Sequence, residues 1–267
     1  MLRGAGTKQQ PLFDENRPLN VGEPSTAYSS TLSTVNGINT MIDFIVDVVA
    51  YIETVPPTGR TTNTRVWGPW PDSQHPGFEV RVTITKKDVS HFSYVFEWRP
   101  TNGDFFTIIS GDATATANLH RGQGSIHLAF ELAFEKFGGT APTADSATIG
   151  YDTSMFPTAV EVQANALNDA GTAEIDYGQA ADTSGHLTFT IDPPVAIEDG
   201  GVVELVANTF WLADGSGRQD GLVSKGSWTG VNGIECWDSS QAVTYQKWWD
   251  GTEHGDAGSC PANPFTP

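Results

Sequence analysis

After residue 57, the chain consists of short runs of alternating apolar and polar residues. Segments rich in Gly, Asn, Asp, Ser and Pro separate them. Alternation places apolar side chains on one face of a strand, and turn residues at these intervals favour hairpins. The runs cover residues 78–85, 94–98, 105–109, 125–135, 160–166, 172–177, 187–191, 202–211, 222–225 and 243–248. The pattern predicts a mainly β fold, an antiparallel meander of about ten strands that curls toward a barrel or half-barrel.

One amphipathic helix is predicted before the strands, over residues 29–55. Ser29, Ser30 or Thr31 can supply its N-cap, and Pro56-Pro57 lies beyond its end. Its second half is apolar nearly all round, so we expect it to pack against the concave face of the sheet. Residues 1–28 form a polar tail that we expect to be flexible, and residues 29–267 a single β domain. The helical stripe consists of Leu32, Val35, Ile38, Ile42, Ile45, Val49 and Ile52.

The charge of the chain restricts its partners. Asp and Glu number 32 against 14 Lys and Arg, which gives a formal net charge of −18. Such a field repels nucleic acid and anionic membranes, so neither is an expected partner. No run of apolar residues is long enough to span a bilayer as a helix.

The two cysteines, Cys236 and Cys260, flank the most distinctive stretch of the chain. Neither CxxC spacing nor a histidine at zinc-ligand spacing accompanies them, so a disulfide is favoured over a metal site. The alternative is two unrelated buried thiols. Because disulfides persist in oxidising compartments, we expect a secreted, periplasmic or outer-membrane-attached protein. Residues 1–24 contain no apolar signal-peptide core, which implies a mature chain whose leader has been removed.

The sequence contains no strong catalytic, metal or cofactor motif. G-x-S-x-G is absent and the six histidines have no metal-ligand spacing; His120 and His127 flank one turn, where solvent exposure is favoured over a metal pair. Glu174 and Asp176 alternate on one predicted strand and therefore share a face, as the carboxylates of a retaining glycosidase must. An exposed acidic pair is the simpler interpretation. We therefore expect no catalytic residues and no cofactor, with a glycosidase as a remote alternative.

Tryptophan is the remaining functional signal, because the eight Trp residues lie mostly at strand ends and in loops. Exposed indole rings stack on sugar rings, so a lectin-like surface would use them. The structural alternative is that they seal the rim of the barrel. The predicted surface contacts are Trp67, Trp70, Trp248 and Trp249.

Several short motifs, taken in order along the chain, carry a resemblance to a protein class. The most specific is Glu235-Cys236-Trp237-Asp238 followed by a later cysteine. The others are Val66-Trp67-Gly68-Pro69-Trp70, Tyr94 with Glu97, Gly122-Gln123-Gly124, Tyr151-Asp152 and Gly217-Arg218-Gln219-Asp220. In this order the chain resembles uncharacterised bacterial envelope lipoproteins, although it lacks their lipobox cysteine. The resemblance implies an exported β domain on a lipid anchor, with no assigned activity.

The predicted layout also resembles the lipoprotein-carrier half-barrels, in which a sheet encloses an apolar cavity beneath a helix. That resemblance implies a non-enzymatic envelope protein that binds a lipid or lipidated partner between sheet and helix. The alternative is a surface structural or adhesive module that contacts glycans through its tryptophans. The predicted cavity lining consists of Ile42, Ile45, Val49, Leu128, Phe130 and Leu132.

Overall fold

A computed structural model describes residues 21–115, 121–167, 171–196, 202–226 and 228–262. The described residues form two α-helices, fifteen strands and a short 3₁₀ turn at Ala257–Ser259. The helices are α1 (Thr26–Glu53) and α2 (Phe130–Phe137). The strands are β1 (Gly59–Arg60), β2 (Thr64–Pro71), β3 (Phe78–Lys86), β4 (His91–Pro100), β5 (Phe106–Ala115), β6 (Gly122–Ala129), β7 (Ser146–Asp152), β8 (Thr158–Leu167), β9 (Gly171–Gln179), β10 (Gly185–Ala196), β11 (Val202–Trp211), β12 (Gly217–Lys225), β13 (Asn232–Trp237), β14 (Val243–Lys247) and β15 (Glu253–Gly255).

Within each of the two compact units described below, the strands pair in chain order, from β1 to β8 in one and from β9 to β15 in the other. The mainly β, antiparallel meander is therefore confirmed. The expected number of about ten strands is wrong, because the described residues form fifteen. The predicted closure into a barrel is not found. Closure would pair the first strand of a unit with its last, and among the described residues no such pairing joins β1 to β8 or β9 to β15.

The chain divides into two compact units, where the sequence predicted one domain. The terminal unit comprises Met1–Asn36 and Ala170–Pro267, and the central unit comprises Gly37–Asp169. Each unit has a buried apolar core. In the central unit the core includes Val82, Phe96, Ile126, Ile149 and Val160. In the terminal unit it includes Val203, Phe210, Cys236, Trp237 and Tyr245.

Helix α1 begins at Thr26, earlier than the predicted start at residue 29. Ser25 caps it, because its Oγ accepts a hydrogen bond from the backbone N–H of Tyr28 at 3.0 Å. The three predicted caps lie inside the helix instead. Ser25 was not recognised from the sequence because no apolar stripe starts beside it; Leu32, the first residue of the predicted stripe, is exposed.

The second helix corrects a prediction, since residues 125–135 were expected to form one long strand. The strand β6 ends at Ala129, and Phe130 and Leu132 lie in helix α2. The sequence FELAFEKF fits both a strand and a helix. Phe130, Leu132 and Phe134 alternate with other residues as in a strand, but Phe130, Phe134 and Phe137 also recur at helical spacing. Gly138, with φ of 76°, ends the helix and donates its N–H to the carbonyl of Phe134.

Packing of Phe137 explains why the helix prevails. Its ring stacks on His75 with centroids 3.9 Å apart and meets Phe78 edge-on at 5.0 Å. Trp98 and Phe106 complete the cluster, at centroid distances of 6.1 and 6.0 Å. The helix thus brings an aromatic side chain onto the strands β3 to β5, and this tertiary contact decides between the two periods.

Five strands were not predicted: β1, β2, β7, β13 and β15. In β2, Gly68 and Pro69 interrupt the alternation and form a bulge, because Trp67 pairs with Val82 while Trp70 pairs with Val80. In β13 the burial is continuous over its last three residues, so no alternation is visible in the sequence.

Neighbouring hairpins in the terminal unit share the same kind of turn. The turns after β9, β11 and β13 each contain Asp-x-Ser, at Asp182, Asp214 and Asp238. A tryptophan from the next hairpin covers the preceding turn: Trp211 Nε1 donates to the carbonyl of Thr183 at 2.8 Å, and Trp237 Nε1 to that of Gly215 at 3.0 Å. The strand residues beneath these rings are Gly185 and Gly217, where a Cβ atom would collide with the indole.

Candidate ligand-binding cleft

An aromatic cleft of 460 Å³ lies at one end of the terminal unit. Two turns frame it, one between β12 and β13 and the other between β14 and β15. These turns lie at the same end because the intervening strands β13 and β14 are antiparallel neighbours. We call it the tryptophan cleft. Its lining consists of Thr229, Gly230, Val231, Asn232, Lys247, Trp248, Trp249, Asp250 and Gly251.

Two exposed indole rings stand beside this cleft. Trp228 is 38% exposed and Trp249 is 39% exposed. Their ring centroids are 5.7 Å apart and their planes meet at 36°. Trp248 is half-buried in the lining. Large aromatic surfaces left in contact with water beside a concavity are typical of ligand-binding sites.

Local sequence fixes the turn that carries Trp248 and Trp249. Gly251 adopts φ of 85°, a conformation that favours glycine, and donates its N–H to the carbonyl of Trp248 at 2.9 Å. Asp250 Oδ1 accepts the N–H of Thr252 at 2.8 Å. These bonds make a compact turn that holds adjacent indoles at the end of the strand pair.

The facing turn is fixed in a similar way. The N–H of Gly230, with φ of 91°, donates to the carbonyl of Val223 at 2.9 Å, and the N–H of Val231 donates to that of Trp228 at 3.0 Å. The Thr229 hydroxyl donates to the carbonyl of Gly226 at 2.6 Å. Trp228 is therefore presented from a hydrogen-bonded turn.

Polar groups complete the tryptophan cleft. Hydrogen bonding to the Thr252 backbone N–H, and then to its side chain, holds the pKa of Asp250 below its usual value, so this carboxylate is ionised at neutral pH. Lys247 Nζ lies 4.0 Å from Glu253 Oε1. The side-chain amide of Asn232 donates to the carbonyl of Gly230 at 3.4 Å, a long bond. The cleft thus offers a carboxylate, an ammonium group and an amide beside the indoles.

A second, apolar cleft of 40 Å³ adjoins the first. Val231, Asn232 and Trp249 belong to the lining of both. The remaining lining residues are Leu205, Val206, Gly221, Leu222, Val223 and Gly233. We call it the apolar cleft.

The predicted tryptophan contacts are distributed differently in the structure. Trp248 and Trp249 line the tryptophan cleft as described. Trp67, by contrast, is buried, and its Nε1 donates to the carbonyl of Val55 at 2.9 Å, so its predicted role as a surface contact is wrong. Trp70 is half-buried on β2. Trp228 was not singled out from the sequence, because its proximity to Trp249 depends on the pairing of β12 to β15.

The predicted lipid cavity is only partly covered by the structure. The side chains of Ile45 and Val49 lie outside the described residues. Ile42 and Leu128 are half-buried, the latter on β6. Phe130 and Leu132 are also half-buried but belong to α2, so the strand face expected from residues 128–132 does not exist. Neither cleft described above contains any of these six residues, and a lipid site between sheet and helix stays a prediction.

The predicted cysteine pair lies at disulfide distance in the structure. The disulfide Cys236–Cys260 joins β13 to the 3₁₀ turn at Ala257–Ser259, with the two Cα atoms 5.4 Å apart. Cys236 is fully buried. The link fastens the segment after β15 to the middle of the terminal unit.

The acidic pair of the glycosidase alternative lies on β9. Glu174 and Asp176 are both exposed and share one face, as the alternation predicted. Asp176 Oδ1 lies 3.3 Å from His186 Nε2 on the neighbouring strand. His127 is likewise exposed, with Nδ1 3.3 Å from the hydroxyl of Thr148, whereas His120 lies outside the described residues. Within the described part of the chain, no three His, Cys, Asp or Glu side chains are grouped to hold a metal ion.

A buried polar row beneath the start of α1 was not predicted. Thr209, Gln219, Glu235 and Gln246 lie directly opposite one another on the strands β11 to β14. Gln219 Nε2 donates to Thr209 Oγ1 at 2.8 Å, and Gln246 Nε2 donates to Glu235 Oε2 at 2.6 Å. Such a row is invisible in the sequence because its members come from four separate strands.

The start of α1 is bound to this row. Glu235 Oε1 accepts the hydroxyl of Ser25 at 2.6 Å and the backbone N–H of Ala27 at 3.0 Å. Thr26 Oγ1 donates to Glu235 Oε2 at 3.3 Å. A carboxylate at a helix N-terminus is stabilised by the unpaired N–H groups there. Glu235 therefore holds the helix in place and is occupied by structural hydrogen bonds.

Comparison with protein-family models, with curated proteins and with solved structures finds no match to this chain. Within the described ranges, neither helix combines the length and the apolar character that a membrane crossing requires.

Proposed function

We propose that this protein is a non-enzymatic, extracytoplasmic module that binds glycans in the tryptophan cleft. The observation that carries the proposal is the pair of exposed indoles of Trp228 and Trp249, whose centroids lie 5.7 Å apart beside a cleft of 460 Å³. This volume is within the range of small-molecule sites, about 300–1,000 Å³.

The chemistry of the lining matches a sugar ring. An indole presents a flat apolar surface with a polar N–H edge, and sugar rings offer apolar C–H faces for stacking. Carboxylate and amide groups bind hydroxyls, because a carboxylate accepts hydrogen bonds and an amide both accepts and donates them. Asp250 and Asn232 place these groups in the same lining as Trp248 and Trp249.

The negative charge of the chain favours neutral glycans, or glycans with amino sugars, as ligands. The chain carries a formal net charge of −18, and Asp250 is ionised. Lys247, the one cation among the described lining residues, has its Nζ 4.0 Å from the carboxylate of Glu253. Sulfated or uronic-acid polymers would meet like charge on approach, which lowers association rate and affinity.

The extracytoplasmic location is supported by the Cys236–Cys260 pair. Disulfides form and persist in oxidising compartments and are rare in the cytosol. A glycan-binding module facing the cell exterior or the periplasm is consistent with this chemistry.

The first prediction concerns the two indoles. We expect Trp249→Ala and Trp228→Ala each to weaken binding of neutral oligosaccharides by about ten- to thirtyfold, because each removes one stacking surface. The measurement is a screen of neutral, amino and acidic oligosaccharides on an array, followed by isothermal titration calorimetry with the best binder.

Tyr51→Ala is the matched control for these variants, since Tyr51 is an aromatic residue that is 61% exposed on α1. It should leave affinity unchanged. Absence of binding to every neutral and amino glycan on the array would refute the proposal. Equal affinities of wild-type protein and both tryptophan variants would refute the assignment to this cleft.

A further inference from the structure

The apolar cleft adjoins the tryptophan cleft and shares part of its lining. Trp249 and Asn232 contribute to both. On the polar side stand Lys247 and Asp250; on the apolar side stand Val206 and Leu222. A ligand seated on Trp249 would therefore meet hydrogen-bonding groups at one end and hydrocarbon at the other.

Strand pairing places the key residues of the apolar cleft on one face. Leu222 on β12 lies opposite Val206 on β11 and opposite Asn232 on β13. Side chains directly opposite in neighbouring antiparallel strands point to the same face and lie within about 5.5 Å at Cβ. The apolar side chains of Leu222 and Val206 therefore lie beside the amide of Asn232, which also lines the tryptophan cleft.

Exposure makes this hydrocarbon accessible. Leu222 is 40% exposed and Val206 is half-buried. Covering such apolar surface with a ligand is favourable, in proportion to the apolar area removed from water. The cleft volume of 40 Å³ suits a small group and not a long chain.

We infer that the ligand is a glycoside or acylated sugar with a short apolar substituent, which Val206 and Leu222 bind while the sugar lies on Trp249. This inference rests on the proposed function, because it takes the tryptophan cleft as the sugar site. It extends that function by naming an amphipathic, uncharged ligand class. The negative charge of the chain agrees with it, since an uncharged substituent meets no repulsion.

The test compares paired glycosides that differ only in the substituent. Methyl and hexyl β-D-glucopyranosides, β-D-galactopyranosides and α-D-mannopyranosides are titrated into the full chain by calorimetry. For the sugar that binds, we expect the hexyl glycoside to bind about tenfold more tightly than the methyl glycoside, as burial of two CH₂ groups predicts.

Leu222→Asn assigns this advantage to the apolar cleft. In that variant the hexyl and methyl affinities should agree within about twofold, while methyl glycoside binding stays at the wild-type value. Leu212→Asn is the matched control, because Leu212 is an equally exposed leucine (45%) in the turn between β11 and β12. It should retain the full hexyl advantage.

The outcomes separate the two proposals. Equal affinity of methyl and hexyl glycosides in the wild-type protein, with binding lost in Trp249→Ala, overturns this inference and leaves the proposed function in place. A hexyl advantage that persists in Leu222→Asn also overturns it. If hexanol binds without competing with the hexyl glycoside, the two clefts do not hold one ligand together, and this inference is overturned. If none of these glycosides binds, this inference fails, while the glycan array decides separately on the proposed function.

Discussion

At the scale of single residues, Glu235 is a buried carboxylate that joins the sheet of the terminal unit to the start of α1. It is buried, yet it accepts hydrogen bonds from Ser25, Thr26, Ala27 and Gln246. Loss of the carboxylate would leave several buried donors without acceptors, and each such group carries a penalty of about 1–3 kcal/mol. Glu235 is therefore one main attachment of the start of α1, beside the backbone hydrogen bond from the N–H of Ser25 to the carbonyl of Gln241 at 2.8 Å.

We expect Glu235→Ala to lower the free energy of unfolding by about 3 kcal/mol, and Glu235→Gln by about 1 kcal/mol because glutamine retains one acceptor. Urea denaturation followed by circular dichroism measures both. Glu161→Ala is the control, since Glu161 is exposed on β8 and should change stability by less than about 0.5 kcal/mol. A Glu235→Ala protein as stable as the control would show that the helix start is held by other contacts.

At the scale of elements, three hairpin turns of the terminal unit, those after β9, β11 and β13, share an Asp-x-Ser sequence. The hydroxyl and the backbone N–H of Ser184 lower the pKa of Asp182, and Ser216 acts in the same way on Asp214. For Asp238 the hydroxyl of Ser240 comes first, followed by the N–H of Ala242. The folded state therefore prefers the ionised form of each carboxyl group.

A dependence of stability on pH follows from this preference. Because the folded pKa lies below the ordinary value of 3.8, the unfolded state binds more protons and stability rises with pH in this window. The contribution is complete above the unfolded pKa and is lost as pH falls through the folded values. Replacement of Asp182, Asp214 and Asp238 by Asn should make the free energy of unfolding less dependent on pH between about 5.5 and 3.

Denaturant titrations at several pH values measure this slope. Asp104→Asn is the control, because Asp104 is exposed in the turn between β4 and β5 and is not part of an Asp-x-Ser sequence. A triple variant with the wild-type slope would show that these turns are not the source of the acid sensitivity.

How far the elements could be predicted depended on the pattern of apolar residues in each of them. The strand β11 was predicted at its true bounds, Val202–Trp211, because β-branched and apolar residues fill it between turn residues. The strand β13 was missed because Cys236 and its neighbours on both sides are buried. Helix α2 was misread because Phe130, Leu132 and Phe134 fit a strand period as well as a helical one, and only tertiary packing decides between them.

The candidate site was less predictable than the fold. Trp248 and Trp249 could be selected as adjacent aromatics at a strand end, and the cysteine pair by its isolation. The approach of Trp228 to Trp249 depends on two turns being placed side by side by strand pairing, which local sequence does not encode. The burial of Trp67 depends equally on the carbonyl of Val55, which lies outside its own strand.

At the scale of the whole molecule, the described strands within each compact unit pair with their neighbours in chain order. Contacts of this kind are local in sequence, and the disulfide is the one covalent closure in the described part of the chain. It encloses β14 and β15, so its loss should be felt in the terminal unit and not in the central unit. Closing a loop of this length contributes about 3 kcal/mol.

Double replacement Cys236→Ser with Cys260→Ser should therefore lower the stability of the terminal unit by about 3 kcal/mol. Amide hydrogen exchange measures the effect strand by strand. We expect faster exchange in β13 and β14 and unchanged exchange in β3 and β4, which serve as the internal reference. Equal acceleration in all four strands would contradict the assignment of the disulfide to one unit.

The same covalent link determines how the chain carries mechanical tension. Cys236 and Cys260 are 24 residues apart in sequence, and an extended segment of that length spans about 80 Å. Their Cα atoms are held 5.4 Å apart, so a pull on the C-terminus passes from Cys260 directly into β13. The strands β14 and β15, with Trp248 and Trp249 between them, are bypassed by that load. A module that holds a sugar on Trp249 would therefore keep this part of its binding site unloaded while its C-terminal segment is pulled.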